Sequence, residues 1–81
     1  MRNFEEWYAD ALKGITMAVL EKRISKAERN ALRIELAEAN RTRKLEQLNT
    51  VIERLRSLGL VELCPTVKEI EKWFIVGDIR L

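Results

Sequence analysis

The row of residues spaced alternately three and four apart from Ile24 to Leu55 constrains the fold of this chain more than any other feature. Its members are Ile24, Ala27, Ala31, Ile34, Glu38, Arg41, Leu45, Leu48, Ile52 and Leu55. This spacing aligns all of them along one face of a helix, as in a coiled-coil seam. All are apolar except Glu38 and Arg41, which carry opposite charges at the middle. Folded back antiparallel, the row closes on itself: Ile24 faces Leu55, Ala27 faces Ile52, Ala31 faces Leu48, Ile34 faces Leu45, and Glu38 faces Arg41. Ala buries little area, so the first half of the seam is the weaker one.

Signals at both ends frame a helix over 25–58. Ser25 and Glu28 match a capping box, in which each side chain satisfies an orphan backbone donor of the other. Gly59 follows Leu58 as a C-terminal cap. No Gly or Pro lies between, and Ala, Glu and Arg favour continuity through 38–43. A continuous helix would be about 50 Å long, against a diameter of about 30 Å for a compact domain of this size. Continuity therefore implies an antiparallel homodimer, with Glu38 and Arg41 as a polar layer fixing the pairing. The alternative is a helical hairpin broken near 38–43, which puts the two charges in a turn.

Two shorter helices flank this spine. Phe4, Trp7, Tyr8, Ala11, Ile15, Ala18 and Val19 recur at helical spacing over 4–22, with Asn3 as N-cap. Thr66 and Glu69 form a second capping box, opening a helix over 66–74. Between Gly59 and Thr66, the run Leu60–Cys64 is short and β-prone, so a minor extended segment is expected there. Leu32, Leu36 and Ala39 give the first half of the spine a second apolar face, which helix 1 is expected to cover. Gly14 beside the apolar face of helix 1 is read either as a point of close approach or as a tolerated weak point. The fold class is all-α, one helical domain over 1–81.

Chemistry is sparse. The 81 residues contain no His and one Cys. Without His, the usual acid–base group near neutral pH is missing, and a lone thiol lacks its activating base. No catalytic residue, metal ligand or cofactor site is assigned, and Cys64 reads as a small buried hydrophobe. One cysteine cannot form an internal disulfide, which suits a reducing cytoplasm. No apolar run approaches the length of a membrane helix, so no membrane association is expected.

Two groups of residues are candidates for contact with a partner. The aromatics Trp7, Tyr8, Trp73 and Phe74 lie near the two ends of the chain. They either pad the ends of the seam and touch one another, or anchor a protein partner, since Trp and Tyr dominate binding hot spots. Lys22, Lys26, Arg29 and Arg33 form a basic stripe, with Arg41, Arg43 and Lys44 further along. Lys26, Arg29, Arg33, Arg43 and Lys44 are the candidates for nucleic-acid contact. Glu21, Glu28 and Glu35 are interleaved beside the stripe and are expected to lower its potential, and a net charge of +2 adds little. The function expected first is therefore a small non-enzymatic interaction protein that regulates or inhibits a macromolecular partner, by analogy with phage and mobile-element accessory proteins. A DNA-binding regulator and a structural assembly subunit are the alternatives.

Overall fold

The computed structural model describes residues Met1–Leu81. The chain folds into four helices: α1 (Phe4–Leu20), α2 (Lys26–Thr42), α3 (Leu45–Ser57) and α4 (Val67–Val76), with one 3-10 turn at Val61–Leu63. The class is all-α, as the periodicity predicts. No helix is long and apolar enough to cross a membrane.

Capping boxes start three of the helices. Asn3 with Glu6, Ser25 with Glu28 and Thr66 with Glu69 each make both reciprocal bonds. Each helix ends at or just before a left-handed residue. At α3 and α4 this residue is Gly59 (φ 74°) or Gly77 (φ 84°). At α1 and α2 it is Lys22 (φ 61°) or Arg43 (φ 54°), side chains for which this conformation costs about 1 kcal/mol or more. Lys22 terminates α1 through a Schellman pair, with its N–H donating to Val19 and that of Arg23 to Ala18 (3.0 and 2.8 Å).

Arg43 breaks the predicted spine. The continuous helix, and the long coiled coil built on it, are not formed; the chain makes a hairpin, but its turn is Arg43–Lys44, so Glu38 and Arg41 lie within α2 as a surface pair and not in the turn. Nothing local demands a break, so tertiary contacts impose it. The Arg43 carbonyl accepts the Arg80 N–H, and the Leu45 N–H donates to the Arg80 carbonyl, both at 2.8 Å. These bonds lay the C-terminal tail across the turn. The Arg43 guanidinium stacks 4.2 Å from the Phe4 ring centroid and donates to Glu5 Oε1 (3.0 Å) and to the Asn40 carbonyl (2.9 Å). A cation held against an aromatic face and a carboxylate offsets the strain of the left-handed backbone.

The hairpin does not close along the predicted seam. Ile24, Leu48, Ile52 and Leu55 are buried and Leu45 is partly so, but Ala27, Ile34 and Arg41 face solvent and Ala31 and Glu38 are only half-covered. The core uses instead the second face of α2: Leu32, Leu36 and Ala39. Burial scales with apolar area, and two leucines exclude more water than two alanines. With Ala27, Ala31 and Ile34 turned outward, the paired layers of the seam are lost.

Around this face pack Phe4, Trp7, Ala11, Ile15 and Ala18 from α1, Leu48, Val51, Ile52 and Leu55 from α3, and Trp73 from α4. Leu60 and Ile79 fill the ends. The Leu60–Cys64 segment forms a 3-10 turn rather than an extended piece, because its apolar side chains reach the core from both sides of a tight corner. Gly14 is a point of close approach. A Cβ there would lie 2.9 Å from Leu63 Cδ1 and closer still to Cδ2. We expect Gly14→Ala to destabilise the fold by about 1 kcal/mol, overpacking outweighing the gain in helix propensity. Urea unfolding measures this, and a Gly14→Ala protein more stable than the parent would show that Leu63 yields freely.

Candidate interaction face on α2

The aromatic candidates do not form a surface. Trp7 and Trp73 are 0% exposed, and Tyr8 and Phe74 are half-buried. The Trp73 ring centroid lies 5.3 Å from that of Phe4 and 5.6 Å from that of Trp7. The Trp7 indole N–H donates to the Leu63 carbonyl (2.9 Å), and that of Trp73 to the Arg2 carbonyl (3.1 Å). Both polar handles are satisfied internally, so in this fold neither indole can anchor a partner. Helix 1 and the C-terminal helix meet through these rings.

The basic candidates divide. Arg43 is engaged by Glu5, Asn40 and Phe4 and holds the Glu5 carboxyl below the usual carboxylate range. It is a structural residue. Lys44 is exposed beyond the end of α2 as the N-cap of α3. Lys26 and Arg33 are exposed on α2, and Arg29 is half-buried beside them. None of these last three belongs to any of the chain's ion pairs.

Helical register orders what surrounds them. At about 100° per residue, Arg29, Arg33 and Lys26 fall within an arc of roughly 60°. Glu28, Glu35 and Glu38 fall on the other side of the exposed surface. Between the two edges run Ala37, Asn30, Arg41, Ile34 and Ala27, with Ile34 71% exposed and the Arg41 side chain 72% exposed. The glutamates fall on a different edge of the helix from the cations, and each carboxylate already has a partner. Glu28 closes the capping box on Ser25 (2.8 Å), Glu35 pairs with Arg54 of α3, and Glu38 pairs with Arg41 one turn along. The Arg41 guanidinium also lowers the Glu38 pKa. Glu35 and Glu38 are thus offset by cations of their own, whereas Glu28, bound only to a neutral backbone N–H, keeps its charge beside Arg29 as the interleaving implies. Of the three interleaved acids, Glu21 alone makes no side-chain bond at the α1–α2 corner.

The outward face of α2 is thus a mixed strip, with Ile34 and Arg41 standing above Ala27 and Ala37, between a basic edge and an acidic edge. Its signal was present in the sequence: once Leu32, Leu36 and Ala39 are taken as the inward face, the opposite arc follows from the helical repeat.

Elsewhere the polar groups are structural. Arg2 grips Glu69 with a two-pronged fork (2.8 and 3.0 Å) and reaches Asp10 (3.2 Å). Shallow depressions of about 270 and 420 Å³ flank Met1, and the Glu69 carboxylate in the second is already filled by Arg2 and the Thr66 N–H. Cys64 is half-buried with its thiol directed at the Ile52 carbonyl, and burial pushes its pKa up. The carboxylates form no cluster of three that could hold a metal ion. No family model, curated protein or solved structure matches the chain.

Proposed function

We propose that the chain is a small non-enzymatic interaction protein that regulates or inhibits a macromolecular partner by docking through the outward face of α2. The observation that carries this reading is Ile34, a large apolar side chain standing exposed on α2 beside Ala27, Ala37 and Arg41 and between two charged edges. Small residues let a partner approach the helix backbone closely, and the flanking charges orient it. Both tryptophans sit in the core and are withdrawn as contact residues; the reading on α2 rests on Ile34 lying between the two charged edges.

An assembly role through the same face has less support. Antiparallel pairing of two α2 ridges would set the Lys26–Arg33 edge of one copy along that of the other. Like charges so placed repel, which disfavours the antiparallel homodimer.

A photo-crosslinking amino acid in place of Ile34, compared with one in place of exposed Asn49 on α3, tests the docking face in the native host. We expect a discrete crosslinked product from position 34 and none from position 49. Equal yields from both positions would rule out α2 as the docking face.

A further inference from the structure

We infer that the basic edge of α2, with Lys22 at the α1–α2 corner, binds the phosphate backbone of duplex nucleic acid. This rests on α2 being the docking face and names the chemistry of its occupant. Four observations converge on it.

The first is availability. Lys22, Lys26 and Arg33 are exposed, the half-buried Arg29 hydrogen-bonds through its side chain only to Asn30, and none of the four is held by a carboxylate. Glu35 and Glu38 are paired with Arg54 and Arg41, leaving Glu21 and the capping Glu28 as the acids nearby, against four cations.

The second is placement against electrostatic preference. Lys26 and Arg29 lie in the first four residues of α2, at the positive end of the helix dipole, where a cation is disfavoured. Dipole and side chains add to one positive field, and an anion docked there relieves both. Lys22 is itself held in a left-handed backbone conformation at the same corner.

The third is shape. Lys26 to Arg33 spans roughly 10 Å of helix at about 1.5 Å per residue, a line of charge rather than a pocket. A linear array matches a repeating anion better than a discrete one. The fourth is the absence of any exposed aromatic side chain from this edge, since both tryptophans are buried and Phe4, Tyr8 and Phe74 lie in or against the core. Single strands are captured by base stacking on aromatics, whereas duplex backbone is captured by cations alone.

The test is fluorescence anisotropy of a labelled duplex of mixed sequence, about 20 base pairs long, titrated with the full chain. Neutralising three to four phosphates predicts a log–log salt slope of about −3 and a loss of roughly a hundredfold between 50 and 200 mM salt. Lys26→Glu/Arg29→Glu/Arg33→Glu should weaken binding at least tenfold. The corresponding Gln variant should weaken it less but measurably, which guards against a folding defect. Lys68→Glu/Lys72→Glu/Arg80→Glu carries the same net charge change on exposed cations outside α2 and should have a much smaller effect. The inference is overturned by no binding at 50 mM salt or by equal weakening in the two triple variants. Polyglutamate bound as tightly as the duplex also overturns it, because an acidic polypeptide is then the occupant. A crosslink at position 34 without duplex binding would leave the docking face standing and remove the nucleic acid.

Discussion

Replacing Trp73 with Ala should remove a large share of this domain's stability. The indole is fully buried among Phe4 and Trp7 and is the one buried apolar side chain that α4 contributes to the core. Truncating a buried Trp costs about 3–5 kcal/mol in lost transfer energy and cavity. A domain of this length has only about 4–12 kcal/mol in total. The melting temperature should therefore fall by about 15–30 °C, read by circular dichroism. The N–H bond to the Arg2 carbonyl is lost with the ring, so the N-terminal segment should loosen together with α4. Phe74→Ala, at a half-buried position one residue along, should cost clearly less. A Trp73→Ala protein destabilised by under about 1 kcal/mol would mean that α4 is not part of the cooperative core.

Removing Arg2 should have the second largest effect and should reshape the acid response. Glu69 is 4% exposed, and the Arg2 fork is the main reason its carboxyl pKa falls to about 2. The Thr66 N–H contributes, while burial works in the opposite direction. The folded pKa lies below the ordinary carboxylate value, so the pair's stabilisation is fully present above about pH 4.5 and is lost as pH falls towards about 2. The shift corresponds to at most about 3 kcal/mol. Because the Arg2 side chain is 34% exposed, solvent screening reduces this, and we expect Arg2→Ala to cost about 2 kcal/mol at pH 7. Urea unfolding at pH 7 and pH 3 should show a smaller acid loss in Arg2→Ala than in the parent. The same acid loss in both proteins would show that other carboxylates set the acid limit.

Much of the local architecture could be read from the residues. Ser25 with Glu28 and Thr66 with Glu69 mark helix starts because the reciprocal bond needs only residues three apart. Gly59 marks a stop because it alone adopts a positive φ without strain. The inward face of α2 was visible as Leu32, Leu36 and Ala39, but so was the competing seam through Ala27, Ala31 and Ile34. Spacing cannot rank two faces of one helix. Their buried areas can, and the leucine face prevails. The candidate site followed the same logic: the basic edge was visible as a stripe, but its separation from Glu28 and Glu35 appears only when the helix is oriented and those carboxylates have found Ser25 and Arg54.

The sequence by itself determined an all-α chain, three of its helix starts and the stop at Gly59, because caps and periodicity act within a few residues. Only the tertiary structure decided that the spine breaks at Arg43. The energy that offsets its left-handed backbone comes from Phe4, Glu5 and Arg80, groups more than thirty residues away along the chain. That break turns the row from Ile24 to Leu55 from one seam into two surfaces: α3 keeps its half in the core, and α2 presents its half to solvent.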